Sequence, residues 1–199
     1  MDYSILLSVS ETLKELFIQN KPPQGINLDP SSIIFDSPAD IKEDNTSKLL
    51  IYLHKVLENA DLVNAPVERD RQISTTVRIP RKPPQPVDLH YLIVPYGNDR
   101  PAEIIMIEWV LGVLYDNSII DPKYYQDALK VSGNNGHEIK VIQTPLSMND
   151  LNELWSLFSH TDFKLSLSYM VTPIFLPTTM EYEAYRVKQT EVTVEEKPR

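Results

Sequence analysis

Residues 163–175 read FKLSLSYMVTPIF, and their period of two decides the fold class. Phe163, Leu165, Leu167, Tyr169 and Val171 fall on one side, and Lys164, Ser166 and Ser168 on the other. Successive side chains of a strand point to opposite faces, so the segment predicts a strand with one face on a core and a serine face toward solvent or a partner. Pro173 and Pro177 lack the amide N–H a ladder needs, so the strand is expected to leave the sheet interior before its end.

Outward from this strand, residues 48–56 (KLLIYLHKV) and 87–96 (VDLHYLIVPY) are rich in β-branched and aromatic side chains and predict two more central strands. Residues 139–142 predict a further strand, and 33–35 (IIF) a candidate edge strand. A first helix is predicted over 4–18, where Ile5, Val9, Leu13, Leu16 and Phe17 recur near every 3.6 residues while Glu11, Lys14 and Glu15 take the other side. It stops at Pro22-Pro23. A second helix, 102–116, starts with Pro101 and Glu103, both suited to a helix N-terminus. Its stripe of Ile104, Ile107, Leu111 and Leu114 is broadened by Ile105, Trp109 and Gly112, so it is expected to lie between the sheet and another helix or subunit. A third follows Ser147-Met148-Asn149-Asp150, with Leu151, Leu154, Trp155 and Phe158 as its stripe. Together these predict an α/β fold of the α+β type: a mixed or antiparallel central sheet packed by about three helices. The expected layout is one domain over 1–180 and a C-terminal arm over 181–199.

Two stretches stand outside that plan. Residues 58–86 are polar and close with four prolines in seven residues. Long irregular connections in compact domains are usually put to use, so this loop is expected to face a partner, with 73–79 able to form a short hairpin arm. Residues 182–194 (YEAYRVKQTEVTV) alternate, and predict either a fraying edge strand or an arm that adds to a neighbour's sheet.

Composition removes several functions. The 199-residue chain has no cysteine, which excludes disulfides, thiol catalysis and cysteine-ligated metals and permits a cytosolic setting. The first residues lack a basic n-region and a cleavage site, so no signal peptide is expected. The most apolar stretch, 104–114, contains Glu108 and falls short of the roughly 20 residues that cross a bilayer, so no membrane span is expected. A net charge of -9 opposes phosphate backbones. Arg69, Arg71, Arg78, Arg81 and Lys82 are scattered through the proline-rich loop without aromatics, which suits a solvated or protein-facing loop better than a nucleic-acid site.

No motif supplies chemistry. His54, His90, His137 and His160 form no HxH or HExxH pattern, although His54 and His90 would be neighbours if their strands pair. GxSxG, P-loop and dinucleotide fingerprints are missing, and Ser132-Gly133-Asn134-Asn135-Gly136 reads as a turn. Neither an enzyme site nor a cofactor or metal site is therefore expected. What stands out is aromatic surplus. Tyr124, Tyr125, Tyr182 and Tyr185 lie in short or terminal segments where full burial in a monomer is not expected. With Trp109, Arg69, Arg71, Arg78 and Arg81 they are the interface candidates, local packing of half-exposed tyrosines being the plain alternative.

Four blocks in a fixed order carry a resemblance: LLIYLHKVLENADLVN (49–64), DLHYLIVPYG (88–97), AEIIMIEWVLGVLYDNSIID (102–121) and PLSMNDLNELWSLFSHTDFKLSLSYMVTPIFL (145–176). With the opening helix SVSETLKELF they cover nearly the entire chain, which resembles the N-terminal domain of the tube-terminator (cap) proteins of extracellular contractile injection systems, relatives of phage tail terminators. Met106 and Glu108, in a helix usually apolar there, and the variable Arg/Pro loop are the departures. The resemblance implies a non-enzymatic homo-oligomeric ring, normally of about six subunits. Such a ring sits on the distal end of the inner tube, stops its polymerisation and meets the surrounding sheath. It would be assembled in a bacterial or archaeal cytoplasm, in a particle that can be released. In that setting the second helix and residues 188–194 would supply a ring contact, and the loop 64–86 would reach a tube or sheath subunit. The alternative is a soluble adaptor or chaperone that binds tube or sheath subunits without forming a ring.

Overall fold

The computed structural model describes residues 4–41, 46–63, 76–80, 84–131, 133–158, 161–177 and 181–185. A mixed five-stranded sheet runs in the order β1-β2-β4-β6-β5, from β1 (Ile33–Ile34), β2 (Lys48–Glu58), β4 (Gln85–Tyr96), β5 (Lys140–Gln143) and β6 (Leu167–Leu176). β1 and β2 are parallel and the other neighbours antiparallel. Both faces of central β4 are covered, which explains why its sequence is nearly continuous apolar. Leu89, Tyr91 and Ile93 share a core with Val9, Leu13 and Phe17 of α1 (Ile5–Gln19), Met106 and Val110 of α2 (Arg100–Asp116) and Leu129 of α3 (Asp127–Val131). Leu92, Val94 and Tyr96 meet Leu50, Trp155 and Phe158 on the face closed by α4 (Met148–Ser156).

Local chemistry sets the helix ends. Asp99 accepts the Ala102 N–H at 2.8 Å, with Pro101 in the first turn of α2. Ser147 and Asp150 form a capping box at α4. After α1, the Asn20 side-chain amide donates to the Leu16 carbonyl at 2.8 Å before the chain enters Pro22-Pro23.

Two expectations shift. The strand begins at Leu167, not at 163, because the preceding residues pack instead of pairing. Lys164 Nζ donates to Glu103 at 2.9 Å, and the Phe163 ring sits 5.5 Å from Trp155. The α2 stripe is also rotated: Glu103, Met106, Ile107, Val110, Val113 and Leu114 are buried, whereas Ile104 and Ile105 are 51% and 41% exposed. A carboxylate can occupy the inner face because Arg100 and Lys164 both pair with Glu103 at 2.9 Å.

The sheet edges are blunt. β1 has two residues and β5 four, and the outer side of β5 is met by 118–120, with Val141 donating to Ser118 at 2.8 Å and Ile120 to Ile139 at 2.9 Å. Short, covered edges do not template a further strand.

Apart from this sheet, β3 (Thr76–Pro80) and β7 (Glu181–Tyr185) pair antiparallel as a two-stranded ribbon. Residues 76–80 therefore find their partner about 100 positions away, not in a hairpin within 73–79, and the start of the tail is a strand of the same chain.

Candidate interaction surfaces

Because the stripe of α2 turns inward at Glu103, its outer side shows Ile104, Ile105, Glu108, Gly112 and Tyr115, with Leu111 partly buried. Beside it lies an open groove of about 460 Å3, between the second half of α2 and strands β5 and β6. Leu111, Gly112, Tyr115, Val141 and Tyr169 line it, and Glu108 is its only charged lining residue among the described residues. Tyr115 is 83% exposed, and Ile119, just beyond the helix, 50%. A concentration of apolar side chains on one outer surface marks an interaction site more often than a solvated one.

The sequence candidates fall differently. Trp109 turns toward α1: its ring lies 5.3 Å from Phe17, and its indole N–H donates to the Asn20 carbonyl at 3.0 Å. Tyr124 is half-buried, with the Lys123 ammonium 4.8 Å over its ring. Tyr125 is fully buried, correcting the expectation for that residue. The turn Pro122–Tyr124 carries it inward, and the next residue is tied to α1 where the Gln126 N–H donates to Thr12 Oγ1 at 3.1 Å. Burial pushes the Tyr125 hydroxyl above its ordinary range. Arg78, Tyr182 and Tyr185 stand in the ribbon, opposite Glu183, Ile79 and Thr76 respectively. Arg69, Arg71 and Arg81 lie outside the described residues.

His54 and His90 are neighbours, as their strands predicted, with ring centroids 6.3 Å apart beside a bulge between Leu53 and Lys55. Burial holds both imidazoles below the usual histidine range; the His90 charge and then Lys55 lower His54 further, and Lys55 lowers His90 while Asp88 opposes it. Asp88 is engaged elsewhere, accepting from Asn59 Nδ2 at 2.9 Å and from the Thr172 hydroxyl. No group of three or more histidine or carboxylate side chains is placed to hold a metal among the described residues. No helix among them is long and apolar enough to cross a membrane.

The groove went unnoticed in the sequence. Its signal was present in Ile104, Ile105 and Tyr115, which cannot all lie on the stripe that the other apolar positions of α2 define.

The mixed sheet, covered on both faces, defines a class that solved structures share. One is the PVC sheath/tube terminator of an extracellular contractile injection system, in the extended state, with a TM-score of 0.70 and 20% identity over 97% of this chain and 64% of that one. Another is the anti-feeding prophage cap, the AFP tube terminating cap, at 0.63 and 18% over 94% of this chain and 60% of that one. The fold is therefore that of terminator and cap proteins, and neither description is catalytic. The chain spans less than two thirds of the length of these two relatives. Comparison with curated protein sequences gives no match. The family model described as the Pvc16 N-terminal domain matches residues 8–190, and the chain belongs to that family, as the order of its sequence blocks implied.

Proposed function

We propose that this chain acts within a ring subunit that caps the distal end of the inner tube of a contractile injection particle and ends tube polymerisation, with the sheath as a second partner. The family match over residues 8–190 carries this reading. Residues 1–180 serve as the body and 181–199 as its arm, the first strand of which pairs with β3. About six copies form the ring, one face of which binds the terminal tube subunits. The mechanism is steric: the opposite face offers no docking surface for another layer. The two-residue β1 and the short, covered β5 suit this role, since neither leaves a long free edge. Assembly takes place in the cytoplasm of the producing bacterium or archaeon, before any release of the particle. Tubes growing from purified tube protein test the proposal. Addition of this protein should stop elongation at one end, with label confined to that end. Continued growth at both ends, or label spread on free tube subunits as an adaptor would give, would reject it.

A further inference from the structure

Within the turn Gly133–Gly136, the polar side chain of Asn134 is fully buried. Both ends of its amide meet one residue of β6: Nδ2 donates to the Phe175 carbonyl at 2.9 Å, and Oδ1 accepts the Phe175 N–H at 2.7 Å. In a closely spaced pair of an antiparallel ladder, two opposed residues exchange the same two bonds. Asn134 therefore does with a side chain what the backbone of a further strand would do.

The bonds fall where the sheet would otherwise be open. β5 begins at Lys140, opposite Thr172, so among the described residues no strand lies beside 173–176 on that side. On the other side Phe175 opposes Pro86, which has no N–H and whose carbonyl accepts from the Asn59 N–H at 2.9 Å, toward β2. The Phe175 N–H and C=O thus point away from β4, out of the sheet edge. Unpaired backbone groups on an edge template another chain. Here Pro173 has no N–H to offer, and Asn134 engages both the donor and the acceptor of Phe175. The turn is fixed in place: the His137 N–H donates to the Asn134 carbonyl at 3.0 Å, and the His137 ring lies 4.4 Å from that of Phe175. Behind it, the Tyr125 hydroxyl donates to the His137 carbonyl at 3.4 Å.

We propose that Asn134 is a plug that keeps the far end of the β6 edge closed, and that without it this edge pairs with the same edge of a second copy of the chain. Such a contact is isologous: the two Phe175 residues exchange both backbone bonds, antiparallel about a two-fold axis. The plug acts within a single subunit, whether or not copies form a ring. It adds a side-chain device to the two-residue β1 and the short β5, which limit pairing at the sheet edges by length.

Asn134→Ala removes both bonds and tests the plug in the full chain, without tube protein. Sedimentation over a concentration series, at a temperature where circular dichroism shows the variant folded, is read together with hydrogen exchange at the Phe175 amide. In the wild type that amide should be protected at every concentration, since Asn134 holds it. The variant should self-associate at concentrations about tenfold or more below any self-association of the wild type, as the net effect of two exchanged backbone bonds. Its Phe175 amide should exchange fast when dilute and become protected when associated. A substitution that only loosened the fold would not tie protection at this one amide to concentration. Should the alanine chain fail to fold, Asn134→Ser, whose hydroxyl can keep one of the two bonds, should give the same two readouts with a smaller shift. A folded variant of wild-type mass throughout the series would overturn the inference. So would association that leaves the Phe175 amide exchanging freely, or a Phe175 amide already unprotected in the wild type; none of these results bears on the cap reading.

Discussion

Trp109→Ala separates core from interface at the one aromatic candidate on α2. Truncating a buried tryptophan costs about 3–5 kcal/mol, and the partial exposure of this ring places the expected loss near the lower end, about 3 kcal/mol. Part of that is the bond from the indole to the Asn20 carbonyl, about 1 kcal/mol, and part the contact with Phe17, about 0.5–1.5 kcal/mol beyond simple burial. Trp109→Phe keeps an aromatic ring near Phe17 but loses the bond, so it should cost about 1–2 kcal/mol. For a chain of this size the alanine variant should melt about 6–12 °C lower, with a cooperative transition. Denaturant unfolding at constant slope, followed by native mass analysis at a temperature where the variant is folded, checks both halves. Folded Trp109→Ala should still assemble. An unchanged midpoint with lost assembly would refute the reasoning and make Trp109 an interface residue, and equal costs for Phe and Ala would refute its assigned packing.

Three further outcomes follow from the buried polar groups and from backbone clearance. Tyr91 is fully buried with its hydroxyl 2.9 Å from Ser10 Oγ, so Ser10→Ala, which strands the phenol, should cost about 1–3 kcal/mol. Tyr91→Phe should cost about 1, since Ser10 keeps the Leu6 carbonyl at 3.3 Å; urea midpoints in the reverse order would contradict this. His54 and His90 have lowered folded pKa values, so below about pH 6.5 the unfolded chain binds more protons and stability falls with pH, recovering above that range. His54→Gln should flatten that slope in denaturation midpoints, and an identical slope would remove the pair from the account. Gly97→Ala would place a Cβ 2.8 Å from the Glu103 nitrogen and should lower stability by over about 1 kcal/mol. Gly112→Ala, in open space within a helix, should raise it by about 0.5–1; calorimetric shifts of the same sign would show the clearances to be wrong.

Much of the body was legible because its long elements carry strong periods. α1, β2, β4 and α4 appear where apolar spacing placed them, with ends within a few residues. What escaped depended on distant partners. The rotation of α2 required Lys164, 61 positions away, to neutralise Glu103 on the inner face, and pattern reading sends a charge outward. The same pairing removed 163–166 from a strand that alternation alone had extended. Tyr125 was misjudged because the turn and five-residue helix around it have no period, and its burial comes from closure against α1. β3 and β7 looked like two separate arms, since nothing local in TVRIP announces pairing with EYEAY about 100 residues later. Of the interface candidates, the tyrosines of the tail were placed in register while Trp109 and Tyr125 were drawn into contacts within the chain.

Native mass spectrometry of the purified protein with short tubes tests the central claim most directly. The account predicts a closed ring of about six copies, bound to tube ends in fixed stoichiometry. A monomer or dimer that leaves the tube ends bare would contradict it.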